Sequence, residues 1–105
     1  MSIRRLQEEA HRIAVEHGWW DRSRSAGEAL MLMVTELGEA MEALRDGGPP
    51  SEAIPGFSAV EEELADTIIR ILDFAEGNNL DLEGALAAKM EYNKSRPYRH
   101  GGKMA

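Results

Sequence analysis

Two long helical stretches constrain the fold of this chain more than any other feature, and both open with the same four-residue signature. Ser25-Ala26-Gly27-Glu28 and Ser58-Ala59-Val60-Glu61 each set a serine three residues ahead of a glutamate. In that spacing the two side chains satisfy each other's free backbone N–H groups at a helix start. The first signature predicts a helix running to about Asp46, ahead of Gly47-Gly48-Pro49-Pro50, which cannot continue one. The second predicts a helix ending near Gly77. Leu30, Met33, Val34, Leu37, Met41 and Leu44 form the main apolar stripe of the first, and Ala29, Leu32, Ala40 and Ala43 extend it around one side. Val60, Leu64, Ile68, Ile71, Leu72, Phe74 and Ala75, widened by Ala65 and Ile69, give the second a broad apolar surface.

Shorter helices flank this pair. Ile3, Leu6, Ala10, Ile13 and Ala14 recur with helical period from about Ser2 to His17, where Gly18 reads as the stop. A fourth helix begins near Asp81, buries Leu82, Ala85, Leu86 and Met90, and ends ahead of Pro97. The expectation is an all-α, four-helix chain forming one domain over residues 1–105. The two central helices carry more apolar circumference than one partner in such a chain would bury, and six methionines add adaptable surface. A homo-oligomer whose core combines helices from two subunits is therefore expected.

The formal charge of −7, from 19 acidic and 12 basic residues, disfavours a general nucleic-acid binder, which relies on Lys and Arg to meet phosphate. Between Glu28 and Glu83 the only bases are Arg45 and Arg70, whereas Lys89 to Lys103 holds five bases against the single acid Glu91. An acidic centre followed by a basic tail suits a polyanion held through bridging cations. Cysteine is absent, and His11, His17 and His100 lack ligand spacing, which removes thiolate zinc chemistry. No apolar run approaches the roughly 20 residues that span a bilayer, and the N-terminal stretch lacks the apolar segment of a signal peptide. A cytoplasmic protein with no membrane association is the expectation.

Within the central helices, Glu36-x-x-Glu39 and Glu63-x-x-Asp66 place two carboxylates three residues apart, so each pair projects from one side. At about 100° per residue, Glu36 falls among Ala29, Leu32, Ala40 and Ala43, inside the apolar face, and Glu39 falls on its border. An ionised carboxylate there needs a cation or several donors. Oxygen ligands of this kind suit Mg²⁺, which keeps part of its shell for water and substrate phosphates. Acids at this spacing also occur on solvated helix faces, so spacing alone leaves both readings open. On the fourth helix Lys89, Asn93 and Arg96 make a row of donors on successive turns, suited to neutralising a polyphosphate.

Taken together, Glu36-x-x-Glu39, Glu63-x-x-Asp66, Lys89-x-x-x-Asn93-x-x-Arg96 and the ending Arg96-Pro97-Tyr98-Arg99-His100-Gly101-Gly102-Lys103 resemble the MazG-like, all-α nucleoside triphosphate pyrophosphohydrolases over nearly the whole chain. The resemblance implies Mg²⁺-dependent hydrolysis of a nucleoside triphosphate to the monophosphate and pyrophosphate, with Mn²⁺ as a substitute ion; the sequence leaves open whether the task is cleansing the nucleotide pool or regulation. It assigns Glu36, Glu39, Glu63 and Asp66 as catalytic metal ligands and Lys89, Asn93 and Arg96 as triphosphate contacts. Water would be the nucleophile, with one of the same carboxylates accepting its proton. The resemblance further implies a homodimer or a homotetramer built as a dimer of dimers. Many relatives carry another glutamate just before the first motif, where this chain has Thr35; that departure weakens a dUTPase-like assignment and leaves the number of metals open.

Trp20 or its neighbour Trp19 would stack on a nucleobase, or pack at a subunit interface. Gln7 reads as a surface glutamine, with a base-edge contact as its alternative, and His100 as a tail histidine near phosphate at most. Arg70, flanked by Asp66 and Asp73, is expected to pair with both and orient Asp66. The rival to the enzyme is a non-catalytic acidic helical module of the same fold that binds a partner. In that case the acids are solvated faces and the donor row does not converge on them. A di-iron carboxylate bundle requires Glu-x-x-His pairs, which this chain lacks, and the EF-hand and P-loop signatures are missing too.

Overall fold

In a computed structural model of the chain, which describes residues 1–97, the serine and glutamate of each signature meet as the spacing requires. Ser25 Oγ accepts from the Glu28 backbone N–H (3.1 Å), and Ser58 Oγ accepts from that of Glu61 (3.0 Å), while the Ser58 N–H donates to Glu61 Oε1 (2.8 Å). These caps open α2 (Ala26–Arg45) and α3 (Ala59–Gly77). Ser2 caps α1 (Ile3–Glu16) and Asp81 caps α4 (Leu82–Lys94), each through its side chain. The described residues are thus all-α, with the helix boundaries close to those read from the sequence. The segment from Tyr98 to Lys103 lies outside the described residues.

α3 is the centre of the arrangement. It packs along both α1 and α2, while α1 reaches α4 through a lighter contact. The connection between α2 and α3 is tied down rather than loose. Gly47 and Gly48 turn the chain with φ of +89° and +66°, values that favour residues without a Cβ. The Ser51 N–H then donates to the Phe57 carbonyl and the Ala59 N–H to the Pro49 carbonyl, both at 2.8 Å. Glu36 meets Arg70 while the earlier turns of α3 meet the later turns of α2, so the two helices run antiparallel.

α2 has two apolar sides, and the chain covers one of them. Ala29, Leu32, Met33, Glu36, Ala40 and Ala43 are the buried or half-buried side facing α3. Leu30, Val34, Leu37, Met41 and Leu44 remain about half exposed or more, as do Leu64, Ile68 and Ile69 on α3. The small residues face inward because they let the two backbones approach with carboxylates between them. The larger stripe is left uncovered, and among the described residues the buried apolar core is Ala10, Ala40, Leu72 and Ala75.

Two expectations fail. The predicted buried line of α4 is not buried: Leu86 is 40% and Met90 63% exposed, because α4 leans on α1 alone among the larger helix contacts. Gln7 is not a surface residue. It is fully buried, and its amide donates to Glu76 Oε1 (2.9 Å) and to the Leu80 carbonyl (3.0 Å). It thereby locks α1 to the end of α3, and polar residues there recruit Arg4 as well, which reaches Asp81 at 3.1 Å.

The Trp20 ring lies directly against Gly77, where an added Cβ would collide with the indole. A Gly77→Ala variant is therefore expected to lose about 1–3 kcal/mol of stability through forced displacement of the ring. Helix propensity alone would give a gain of up to ~1 kcal/mol, so chemical denaturation with indole fluorescence distinguishes the two by sign.

Candidate metal centre

The antiparallel pairing of α2 and α3 sets Glu36, Glu39 and Glu63 side by side. One carboxylate oxygen from each lies within 4.8 Å of the others, close to the span of about 4.2 Å between opposite ligands of one Mg²⁺. Glu62, Glu63 and Asp66 form a second such group. The four acids singled out in the sequence therefore gather at one place but divide between two overlapping triads, with Glu63 in both and Asp66 in the second. Glu62 was not anticipated. It stands four residues before Asp66 on the same helix side, a signal available in the run Glu61-Glu62-Glu63, and Ser51 Oγ donates to its Oε1 at 2.6 Å.

The electrostatics of this group favour a cation. Glu63 Oε2 is buried without a hydrogen-bond partner, a costly condition for a charged oxygen. Removal from water, together with Glu39 and then Glu36 and Asp66 beside it, raises the Glu63 carboxyl from 4.5 to about 7. Asp66 is raised for the same leading reason, with Glu36 and Glu62 adding to it and Arg70 opposing. Oxygen donors, crowded negative charge and an orphaned carboxylate oxygen fit a hard divalent ion.

Arg70 does not take the partners expected from its neighbours in sequence. Its Nε donates to Glu36 Oε1 at 2.9 Å, and Asp73 turns the other way, to α1 and the loop after it. His11 Nδ1 and Trp20 Nε1 both donate to Asp73 Oδ1, at 2.8 and 2.9 Å, and the two rings meet edge to face. Nothing in the local sequence announces this trio, since His11 and Asp73 lie on different helices. Both tryptophans are partly exposed, at 51% for Trp19 and 41% for Trp20. Trp19, Trp20, Arg70, Asp73, Asn78 and the start of α2 line a cavity of about 200 Å³. A second, of about 410 Å³, is bounded by α1, Glu36, Asp66 and Arg70.

Within one chain the donor row of α4 does not reach the acids. Lys89 and Arg96 instead flank the Tyr92 ring, at 4.6 and 5.6 Å from its centroid, and Asn93 is exposed. The cause is the placement of α4 on α1, away from the α2–α3 groove.

In the metal-free protein, Glu63 and Asp66 hold protons in the folded state over a pH range in which the unfolded chain has released them. The contribution of Glu63 to stability is therefore greatest below its unfolded value of 4.5 and falls as pH rises through about 7, and Asp66, also raised, acts in the same direction. Thermal melts in EDTA should show Tm falling between about pH 5 and about pH 8, with Glu63→Gln flattening the decline and Mg²⁺ offsetting it.

The chain is similar to dCTP pyrophosphatase 1 of Rattus norvegicus (30% identical over 99 residues), of Mus musculus (32% over 99) and of Homo sapiens (32% over 103). These matches cover 90%, 90% and 93% of this chain. They cover 56%, 56% and 58% of the relatives, so the chain spans little more than half the length of the proteins it matches. No family model matches the chain, and no solved structure does.

Proposed function

We propose that this chain is a Mg²⁺-dependent nucleoside triphosphate pyrophosphohydrolase of the MazG-like class, releasing pyrophosphate and a nucleoside monophosphate. The observation that carries the reading is the gathering of Glu36, Glu39, Glu63 and Asp66 between α2 and α3 around a buried carboxylate oxygen with no partner. Similarity to proteins named dCTP pyrophosphatase 1 supports the reaction and makes dCTP the first substrate to try.

Glu36, Glu39, Glu63 and Asp66 would hold the cation, which when bound neutralises phosphate charge and makes water more acidic. The remaining work belongs to the chain. The carboxylates orient water toward a phosphorus of the triphosphate and take up its proton, and the bond between the α and β phosphates breaks. Trp20, held by its bond to Asp73, is the proposed stacking surface for the base.

The uncovered apolar stripes of α2 and α3 support assembly into a homodimer or a homotetramer, since large apolar side chains left exposed along a helix call for a covering partner. Lys89, Asn93 and Arg96, which lie away from the acids in one chain, would then reach the triphosphate across that interface. Their distance from the acids within the chain is also the observation that favours the rival reading, a non-catalytic helical module that binds a partner protein.

Pyrophosphate release from a panel of standard and modified (d)NTPs separates the two. The enzyme predicts Mg²⁺-dependent turnover, supported more weakly by Mn²⁺, and its loss in Glu39→Gln and Asp66→Asn with helical content retained. No turnover of any nucleotide, with no Mg²⁺-induced rise in Tm, favours the binding module. Size-exclusion chromatography with light scattering should give a dimer or tetramer at micromolar concentration; a stable monomer contradicts the assembly.

A further inference from the structure

Arg70 stands at a junction that neither the family motifs nor its neighbours in sequence mark. Its Nε donates to one oxygen of Glu36 at 2.9 Å. Its guanidinium carbon lies 5.2 Å from the centre of the Trp19 ring. The same side chain lines both the aromatic cavity and the cavity bounded by Glu36 and Asp66. Glu36 is 9% exposed, so its carboxylate has few orientations open to it, and a contact with a single nitrogen leaves its second oxygen clear of the guanidinium.

We propose that Arg70 is the positioning residue of the cation site, fixing Glu36 with one oxygen turned to Glu39 and Glu63 and coupling that orientation to the aromatic cavity through Trp19. The inference rests on the reading that these acids hold a divalent cation. Two effects of Arg70 on such a cation oppose each other. The guanidinium would repel it, but the Glu36 carboxylate paired with that guanidinium offsets part of its charge. Orientation works in the other direction, because a buried Glu36 without Arg70 loses its cationic partner and the restraint that aims it. Orientation prevails, as bonds to ligating carboxylates generally strengthen metal binding. Because coupling between sites is reciprocal, a ring or side chain that shifts Arg70 on Trp19 changes cation affinity, and the cation changes the surroundings of Trp19 by the same linkage.

Isothermal titration of the nucleotide-free chain with Mg²⁺ tests this. Arg70→Gln should raise the Mg²⁺ Kd roughly 10- to 100-fold with helical content unchanged. Arg70→Lys should fall between that variant and wild type, since it keeps the charge but loses the planar Nε donor and the stack on Trp19. In a Trp20→Phe background, Mg²⁺ should alter Trp19 emission when Arg70 is present and leave it unaltered in Arg70→Gln. If Arg70→Gln binds Mg²⁺ as tightly as wild type or more tightly, the positioning role is overturned while the cation site stands. If wild type binds no Mg²⁺, the cation reading falls and this inference with it. Should Arg70→Gln unfold, the Trp20→Phe protein decides alone, and a Trp19 emission indifferent to Mg²⁺ overturns the coupling.

Discussion

Mutual repulsion among carboxylates held between α2 and α3 is the constraint on which the rest of the arrangement depends. Glu36, Glu39, Glu62, Glu63 and Asp66 converge there, and Arg70 is the cation paired with them among the described residues. One guanidinium does not balance five acids, and the imbalance appears as a Glu63 carboxyl raised to about 7 with one oxygen left unpartnered. Small residues such as Ala29, Ala40 and Ala43 are what allow the helices to approach closely enough for this to happen. A sequence seeking stability alone would place apolar residues at these positions, so the retained acids point to a ligand that compensates them.

The exposed side of the same helices extends that logic. By turning its small, acid-bearing side to α3, α2 leaves Leu37, Met41 and Leu44 uncovered, and α3 leaves Leu64 and Ile68. α4, resting on α1, carries its basic row away from the acids. Site and surface are therefore linked in the proposed assembly: the faces that lack a partner and the donors that lack an anion would be completed together when subunits associate.

Much of this was legible in the sequence, and for definable reasons. Helix starts were encoded locally in Ser25, Glu28, Ser58 and Glu61, whose geometry depends on four consecutive residues. The burial of Glu36 followed from helical period, because its neighbours on the face are alanines and leucine. What escaped depends on tertiary approach. Arg70 selects Glu36 over Asp66 and Asp73 only once α2 is packed beside α3. Gln7 is buried because the end of α3 and Leu80 close over it, and His11 finds Asp73 across a helix pair. The buried line expected of α4 failed because an amphipathic pattern shows which residues seek cover and is silent on whether the same chain provides it.

The central claim is that the acids of α2 and α3 form one divalent-cation site. Crystals of the protein soaked in Mn²⁺ and measured at the manganese absorption edge test it most directly. The account predicts an anomalous peak bounded by Glu36, Glu39 and Glu63, with Glu63 Oε2 turned to the ion. Absence of a peak at that position, with the same carboxylates hydrated or paired only with Arg70, would contradict it.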